Sequence, residues 1–299
     1  MKVFVFAENQ KALLELCCGA RQIGERIEAI VINSQDDKDT EVADKVWSIP
    51  QQDNAMLEDY TETIAALLER EKPDLLIFEP TKRCKLIAGR LAAMAGTSVM
   101  TDLIELTKEG EGSHLVYGGA AIRKEKLNTS LAIATIGPGV LQGSKETGKG
   151  EIELFPFVEP IRKIKVLNKE QKPKLSVNLP SAKRVIGVGR GIAKEEDLGM
   201  IRQLADVINA EVGCSRPIAE AERWMPKETY IGVSGLMLAP EVYMAIGISG
   251  QVQHTVGMNR SKVVIAINKD KNAPIFGQAD YGIVGDLYKV VPALLDQLK

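Results

Sequence analysis

"RVIGVGRGI", residues 184–192, reads as a short apolar strand running straight into a glycine-rich turn. The adjoining "KEEDLGMIRQLADVIN" (194–209) is a helix: Leu198, Ile201, Leu204, Ala205 and Ile208 recur at intervals of three and four and make one apolar stripe. Glu195, Glu196 and Asp197 in its first turn complement the positive end of the helix dipole. Strand, glycine turn and helix in that order open a parallel βαβ unit. Downstream, "EVGCS" (211–215), "YIGVSG" (230–235), "YMAIGISG" (243–250) and "VVIAIN" (263–268) are further strand candidates. "DLYKVVPALLDQLK" (286–299) is a helix candidate in which Pro292 either lies early in a second helix or kinks the first.

The same alternation recurs upstream. "KVFVFAE" (2–8), "IEAIVIN" (27–33) and "DLLIFEP" (74–80) are near-continuous apolar runs, the pattern of strands covered on both faces. Between them, "NAMLEDYTETIAALLEREK" (54–72) has helical periodicity through Met56, Leu57, Tyr60, Ile64, Leu67 and Leu68. From about Ser98 the pattern turns strand-rich without long helices, which predicts an antiparallel addition to the first sheet. A Lys-rich stretch with two prolines, "KIKVLNKEQKPKLSVNLPSAKR" (163–184), separates the two α/β patterns. The expectation is therefore an α/β protein of two domains, each a largely parallel sheet flanked by helices. Residues 1–165 form the first, 166–182 the linker, and 183–299 a Rossmann-like second domain.

With 299 residues, each half is long enough for its own core. The apolar fraction of 45% and charged fraction of 26% are those of an ordinary globular chain. A net charge of −2 with interspersed signs gives no basic field for nucleic acid and no polybasic patch for an anionic membrane. No run reaches 18 apolar residues, and "MKVFVFAENQ" is too short in its apolar part for a signal peptide, so a cytoplasmic protein without membrane insertion is expected. Cys17, Cys18, Cys84 and Cys214 show no CxxC spacing and read as buried free thiols.

Function gathers in the second half. Four segments there end in glycine or a small polar residue: "GVGRG", "GCSRP", "GVSG" and "GISGQ". In open α/β sheets ligands sit beyond the carboxyl ends of the strands, where glycine permits close backbone approach to a phosphate. The pattern implies a nucleotide site, although "GVGRG" lacks the third glycine of a dinucleotide fingerprint, Ile192 standing in its place. There is no phosphate-binding P-loop, no HExxH and no G-x-S-x-G, and with His114 and His254 as the sole histidines a multi-histidine metal site is excluded. The site is built to hold a cofactor that carries the chemistry itself.

The motifs "VGRG", "GCSRP", "LxxPxxYxAxGISGxxQH", "AINKDxxAPIFxxADYGIVGD" and "KVVPAL", together spanning roughly 183–299, closely resemble the α subunit of electron-transfer flavoproteins. The bacterial branch associated with anaerobic carnitine and acyl-CoA metabolism is the nearest in pattern. "YGGxAI" (117–122) and "TKRxK" (81–85) resemble the family's first domain more loosely.

That resemblance implies an FAD site and carries its contacts over by position. Arg190 falls where an arginine approaches the cofactor's phosphates or adenosine, and Ser215 with Arg216 where a guanidinium lies against the flavin ring. A fixed positive charge there raises the flavin potential, because it stabilises charge that appears only on reduction. Read without the family, Arg216 is rather a surface or ion-paired arginine. Ile231, Gly232, Val233 and Ser234 stand where many members have Val-Gly-Gln-Thr; Ser234 keeps a hydroxyl for flavin N5, while Val233 lacks the amide of the glutamine. Ser249, Gly250, Gln251, Val252, Gln253 and His254 match the loop that wraps the cofactor, its glycines allowing backbone approach. There His254 is placed to hydrogen-bond the flavin's pyrimidine edge or a ribityl hydroxyl, the alternative being a packing or capping histidine. Asn268, Asp286 and Leu287 match positions near the adenosine, and Asp286 is equally suited to cap a helix.

The resemblance also implies a heterodimer with an electron-transfer flavoprotein β subunit that binds AMP or a second FAD. The first domain would pair with that subunit and the linker would act as a hinge. Electrons would arrive from an acyl-CoA-type dehydrogenase, or from NADH through the β chain, and leave to a quinone reductase, ferredoxin or acyl-CoA-type reductase. In that role the chain is an electron carrier rather than an enzyme, with fatty acid β-oxidation as the family context. A nicotinamide-dependent dehydrogenase and a non-redox nucleotide-binding subunit are the two alternative readings.

Overall fold

A computed structural model of the chain describes residues 1–33, 43–137, 139–141, 143, 150–168, 170 and 178–298. They divide into two compact units, one of Met1–Val116 with Ala121–Glu170, the other of Tyr117–Ala120 with Gln171–Lys299. Of the expected linker, residues 169 and 171–177 lie outside the described residues.

In the first unit the chain runs β1 (Lys2–Phe6), α1 (Gln10–Ala20), β2 (Arg26–Asn33), β3 (Lys45–Pro50), α2 (Thr61–Glu71), β4 (Leu75–Phe78) and α3 (Lys82–Ala95). It continues through β5 (Val99–Leu106), β6 (Glu111–Val116), β7 (Ala121–Lys126), β8 (Ala132–Ile136) and β9 (Glu151–Leu154). Nine strands form one sheet in the order β7-β6-β5-β8-β4-β1-β2-β3-β9. The unbroken apolar run of β1 has a direct cause. Val3 and Val5 belong to the core on one face of the sheet, Phe4 and Phe6 to the core on the other, and all four are buried. Across the sheet from β5 to β9 neighbouring strands are parallel, and the expected antiparallel addition is β6 and β7. Inside this sheet, Glu28 of β2 is fully buried, accepting from Trp47 Nε1 and Arg26 Nε at 2.6 Å each.

The second unit runs β10 (Arg184–Val188), α4 (Leu198–Ile208), β11 (Glu211–Cys214), β12 (Val242–Ile246), α5 (Val252–Thr255), β13 (Val263–Asn268), β14 (Tyr281–Val284) and α6 (Leu287–Leu298). Its five strands are all parallel, in the order β11-β10-β12-β13-β14. The stripe of α4 is buried as its spacing requires, through Leu198, Ile201, Leu204 and Ala205, and the helix closes at Asn209 in the left-handed conformation, φ 50°. Glu195, Glu196 and Asp197 form a separate 3₁₀ turn ahead of it.

Three local expectations are corrected. "YIGVSG" is not a strand: Tyr230 and Ile231 make isolated bridges to Cys214 and Leu236, and the chain then turns back, Gly235 N–H donating to Gly232 carbonyl at 2.9 Å. Gly232, with φ 151°, sets that reversal. β14 is an additional edge strand beyond the strand candidates of the sequence. Pro292 does not open a second helix: it lies inside α6, which runs from Leu287 to Leu298.

Candidate functional site

In the second sheet the chain goes from β10 out to β11 and then crosses back to β12 on the other side of β10. That reversal opens a crevice between the carboxyl ends of β10 and β12, the place where doubly wound sheets bind ligands. A cavity of about 940 Å³ lies there, large for a small-molecule site. The loops around it are stitched to one another by backbone. Gly189 N–H donates to Ile246 carbonyl at 3.0 Å and Gly191 N–H to Gly247 carbonyl at 2.9 Å. Ser215 N–H donates to Val188 carbonyl at 2.8 Å and Val233 N–H to Gln253 carbonyl at 2.8 Å.

These bonds give the glycines a structural reason of their own. A side chain on Gly191 would run into Gly247, and one on Gly250, whose φ is 87°, would overlap the Ile275 backbone. The bare backbones are needed so that strand-end loops can close on one another, which shapes the cavity from outside.

Of the residues expected at the site, Arg190, Ser215, Arg216, Val233, Ser234, Ser249, Gln251, Gln253, His254, Asn268, Asp286 and Leu287 line this one cavity. Ile231, Gly232, Gly250 and Val252 do not. Ile231 is a fully buried core residue, Gly232 and Gly250 are buried behind the lining, and Val252 is 45% exposed on α5. Sequence reasoning missed Tyr230, Tyr288 and Lys269 among the lining residues. Lys269 was visible as the residue after Asn268 in "AINKD", whereas the tyrosines carry no spacing signal.

Several side chains are already engaged. Arg216 Nε donates to Glu220 Oε2 at 2.6 Å, one turn further along, and both side chains are solvent-exposed. That bond raises the guanidinium's pKa and lowers the carboxylate's. Asn268 Nδ2 donates to Ile248 carbonyl at 2.8 Å while its Oδ1 accepts from Asp270 N–H at 2.9 Å, so this side chain ties the loop after β12 to the end of β13. Asp286 Oδ1 accepts from Tyr288 N–H at 3.0 Å, the capping role, and its carbonyl receives Lys289 and Val290 N–H at 2.9 Å. Tyr288 hydroxyl donates to Asp197 Oδ2 at 2.6 Å and accepts from Ala193 N–H at 2.8 Å, pinning the glycine loop after β10. Ser234 and Tyr230 hydroxyls are 3.2 Å apart.

His254 is the exception. It is 7% exposed, its Nε2 lies 2.9 Å from Tyr243 hydroxyl, and its Nδ1 is buried with no hydrogen-bond partner. Burial pushes its pKa down to about 4, the Ile231 backbone offsetting part of the effect, so at neutral pH the ring is uncharged. A buried nitrogen without a partner costs about 1–3 kcal/mol, and the Ile231 backbone is the group beside this ring that offsets part of the cost of burial.

Arg190, Arg216 and Lys269 thus face Asp286 around one cavity, three cations against one carboxylate, with a neutral imidazole among them. That donor set suits an anionic dinucleotide: cations for a diphosphate, unfilled polar positions for a ring system. Among the described residues no cluster of His, Cys, Asp or Glu could hold a metal, and no helix is long and apolar enough to cross a membrane.

Residues 178–259 match the family model for the electron transfer flavoprotein FAD-binding domain, and residues 3–160 the model for the electron transfer flavoprotein domain. Among curated proteins, the chain is 46% identical over 304 residues to the electron transfer flavoprotein subunit YdiR of Escherichia coli (strain K12), covering 99% of this chain and 97% of that protein. It is 40% identical over 302 residues to the FixB proteins of Escherichia coli O157:H7 and of Shigella flexneri, covering 98% of this chain and 96% of each. The chain belongs to the electron transfer flavoprotein alpha family and carries that family's FAD-binding domain, whose matched residues include β10, β12 and the cavity's lining as far as His254.

Proposed function

We propose that the chain, paired with a β-type electron-transfer flavoprotein subunit, receives electrons from an acyl-CoA-type dehydrogenase, or from NADH by way of the β subunit, and passes them to a quinone reductase, ferredoxin or acyl-CoA-type reductase. The observation that carries this is the cationic cavity at the topological switch point of the family's FAD-binding domain. FAD, when bound, supplies the redox chemistry, accepting and releasing electrons at its ring system.

The chain's own residues would bind, orient and bias. Arg190 and Lys269 would neutralise the diphosphate, and the glycine loops would hold the walls at a fixed distance. Arg216 would place positive charge beside the ring, attenuated by its pairing with Glu220. Ser234 and Ser215 would offer hydroxyls, and His254 a neutral ring nitrogen. Asp286 would meet ribose hydroxyls with the oxygen that does not cap α6. None of these groups needs to act as nucleophile or general acid. The first unit would provide the pairing surface for the β subunit, with 1–165, 166–182 and 183–299 as the functional division of the chain.

The direct test is to co-express the chain with a β-type subunit, load the pair with FAD, and follow its absorbance on addition of NADH or of a reduced acyl-CoA-type dehydrogenase, then of an acceptor. Reduction by the donor and reoxidation by the acceptor is the expected result. Bleaching by NADH alone, coupled to reduction of two acceptors at different potentials, would extend the role to electron bifurcation. Bound FAD that no such donor reduces would contradict the reading.

A further inference from the structure

Arg190 stands at the tip of the turn that follows β10. Ile192 N–H donates to Gly189 carbonyl at 3.1 Å, which puts Arg190 and Gly191 at the two central positions of that turn. Both line the cavity, and the Arg190 side chain is exposed, with no hydrogen bond or ion pair among the described residues. A cation on so short a turn goes where the turn is held. Three alternate N–H groups hold it: those of Gly189 and Gly191 donate to the Ile246 and Gly247 carbonyls, and that of Ala193 to the Tyr288 hydroxyl at 2.8 Å. The first two acceptors are backbone, which any sequence supplies. The third exists only because residue 288 is a tyrosine.

We infer that Tyr288, held by Asp197, is a positioning residue for the cofactor: it fixes the outgoing end of this turn, so that the Arg190 guanidinium is presented to the diphosphate. The inference rests on the reading of the cavity's occupant as FAD and names what places a cation that meets its phosphates.

The hydrogens settle the direction of both bonds. A carboxylate can only accept, so the phenolic hydrogen points at Asp197 Oδ2, 2.6 Å away, and a lone pair of the same oxygen faces Ala193 N–H. Burial and the neighbouring carboxylate raise the phenol's pKa, so that hydrogen stays in place at neutral pH. Asp197 thereby polarises the hydroxyl and makes it the better acceptor. Tyr288 is itself fixed, its N–H donating to Asp286 Oδ1 at 3.0 Å in the first turn of α6. One hydroxyl therefore joins the start of α6, the turn after β10 and the 3₁₀ turn before α4.

This clamp lies at the cavity rather than in the core. Tyr288 is 37% exposed and lines the cavity, so removing its oxygen leaves the packing beneath the sheet intact. Without the anchor at Ala193 the turn keeps only its two tethers to the end of β12. Arg190 then has to be re-ordered each time a ligand binds, which lowers affinity without removing any group that touches the ligand.

The test uses the full chain paired with its β-type subunit and FAD as the probe. Tyr288→Phe keeps the ring and removes only the acceptor, and Asp197→Ala attacks the same clamp from its other side. Amide exchange of Ala193 in the flavin-free pair should quicken about tenfold in Tyr288→Phe. FAD affinity should fall about three- to tenfold in each variant. In an Arg190→Ala background Tyr288→Phe should cost less than about twofold, because the residue it positions is gone. The decline of FAD affinity with added salt should also flatten in Tyr288→Phe, as in Arg190→Ala. No loss of affinity, equal losses with and without Arg190, a salt dependence like that of wild type, or Ala193 exchange unmoved by Tyr288→Phe would each overturn the inference. A wild-type pair that takes up no FAD would instead sink the proposed function, and the two failures are told apart because Ala193 exchange needs no flavin.

Discussion

Tyr243 of β12 and His254 of α5 meet hydroxyl to Nε2 at 2.9 Å, their ring centroids 6.2 Å apart, with both side chains buried. The pairing makes His254 a buried neutral base, and stability must then depend on pH. With a folded pKa near 4 against the ordinary 6.5, the unfolded chain binds a proton first as pH falls. The contribution is intact above about 6.5 and is lost progressively down to about 4, at most about 3 kcal/mol. Denaturant unfolding between pH 7 and pH 4.5 should show this slope in wild type and a shallower one in His254→Gln.

Gly187 lies against the same hydroxyl. A methyl group there would overlap Tyr243, and both lie in the interior of adjacent strands, so neither can withdraw to solvent. Gly187→Ala should cost about 1–3 kcal/mol, the usual penalty of overpacking. The double variant Gly187→Ala with Tyr243→Phe should recover part of it, which paired unfolding curves would reveal.

Arg216 and Glu220 make opposed predictions. Removing the guanidinium in Arg216→Ala should lower the potential of bound FAD, and removing the compensating carboxylate in Glu220→Gln should raise it. Because the pair is solvent-exposed, both shifts should shrink as salt is added. Redox titrations at two ionic strengths would check the signs.

Asp286 caps α6 and lines the cavity at once, and two substitutions separate the roles. Asp286→Ala should lose about 1 kcal/mol of stability, whereas Asp286→Ser, which can still cap, should lose little. If the free oxygen meets the ribose, FAD affinity should fall in both.

Much of this site was legible because it is built at strand ends. The apolar runs of β1, β10, β12 and β13 record strands buried on both faces, and the small residues after them record loops packed on loops. What escaped lay where a residue's role depends on a distant partner. "YIGVSG" is apolar enough for a strand, but the backbone of Gly232 turns it aside. Val252 shares a sequence block with His254 yet faces outward on the single turn of α5, because residues two apart in a helix point to nearly opposite sides. Tyr288 was invisible as a site residue, since it acts through a contact to a chain segment that spacing cannot reveal.

Every redox role proposed for these side chains depends on FAD being held, within the pair, in the cavity between β10 and β12. The decisive experiment is to quantify the flavin released when the co-purified pair is denatured, for wild type and for Arg190→Ala combined with Lys269→Ala. Wild type should release at least one FAD per pair, and the double variant one fewer. A wild-type pair that holds no FAD even after reconstitution, or full occupancy in a variant stripped of both cations, would refute this placement.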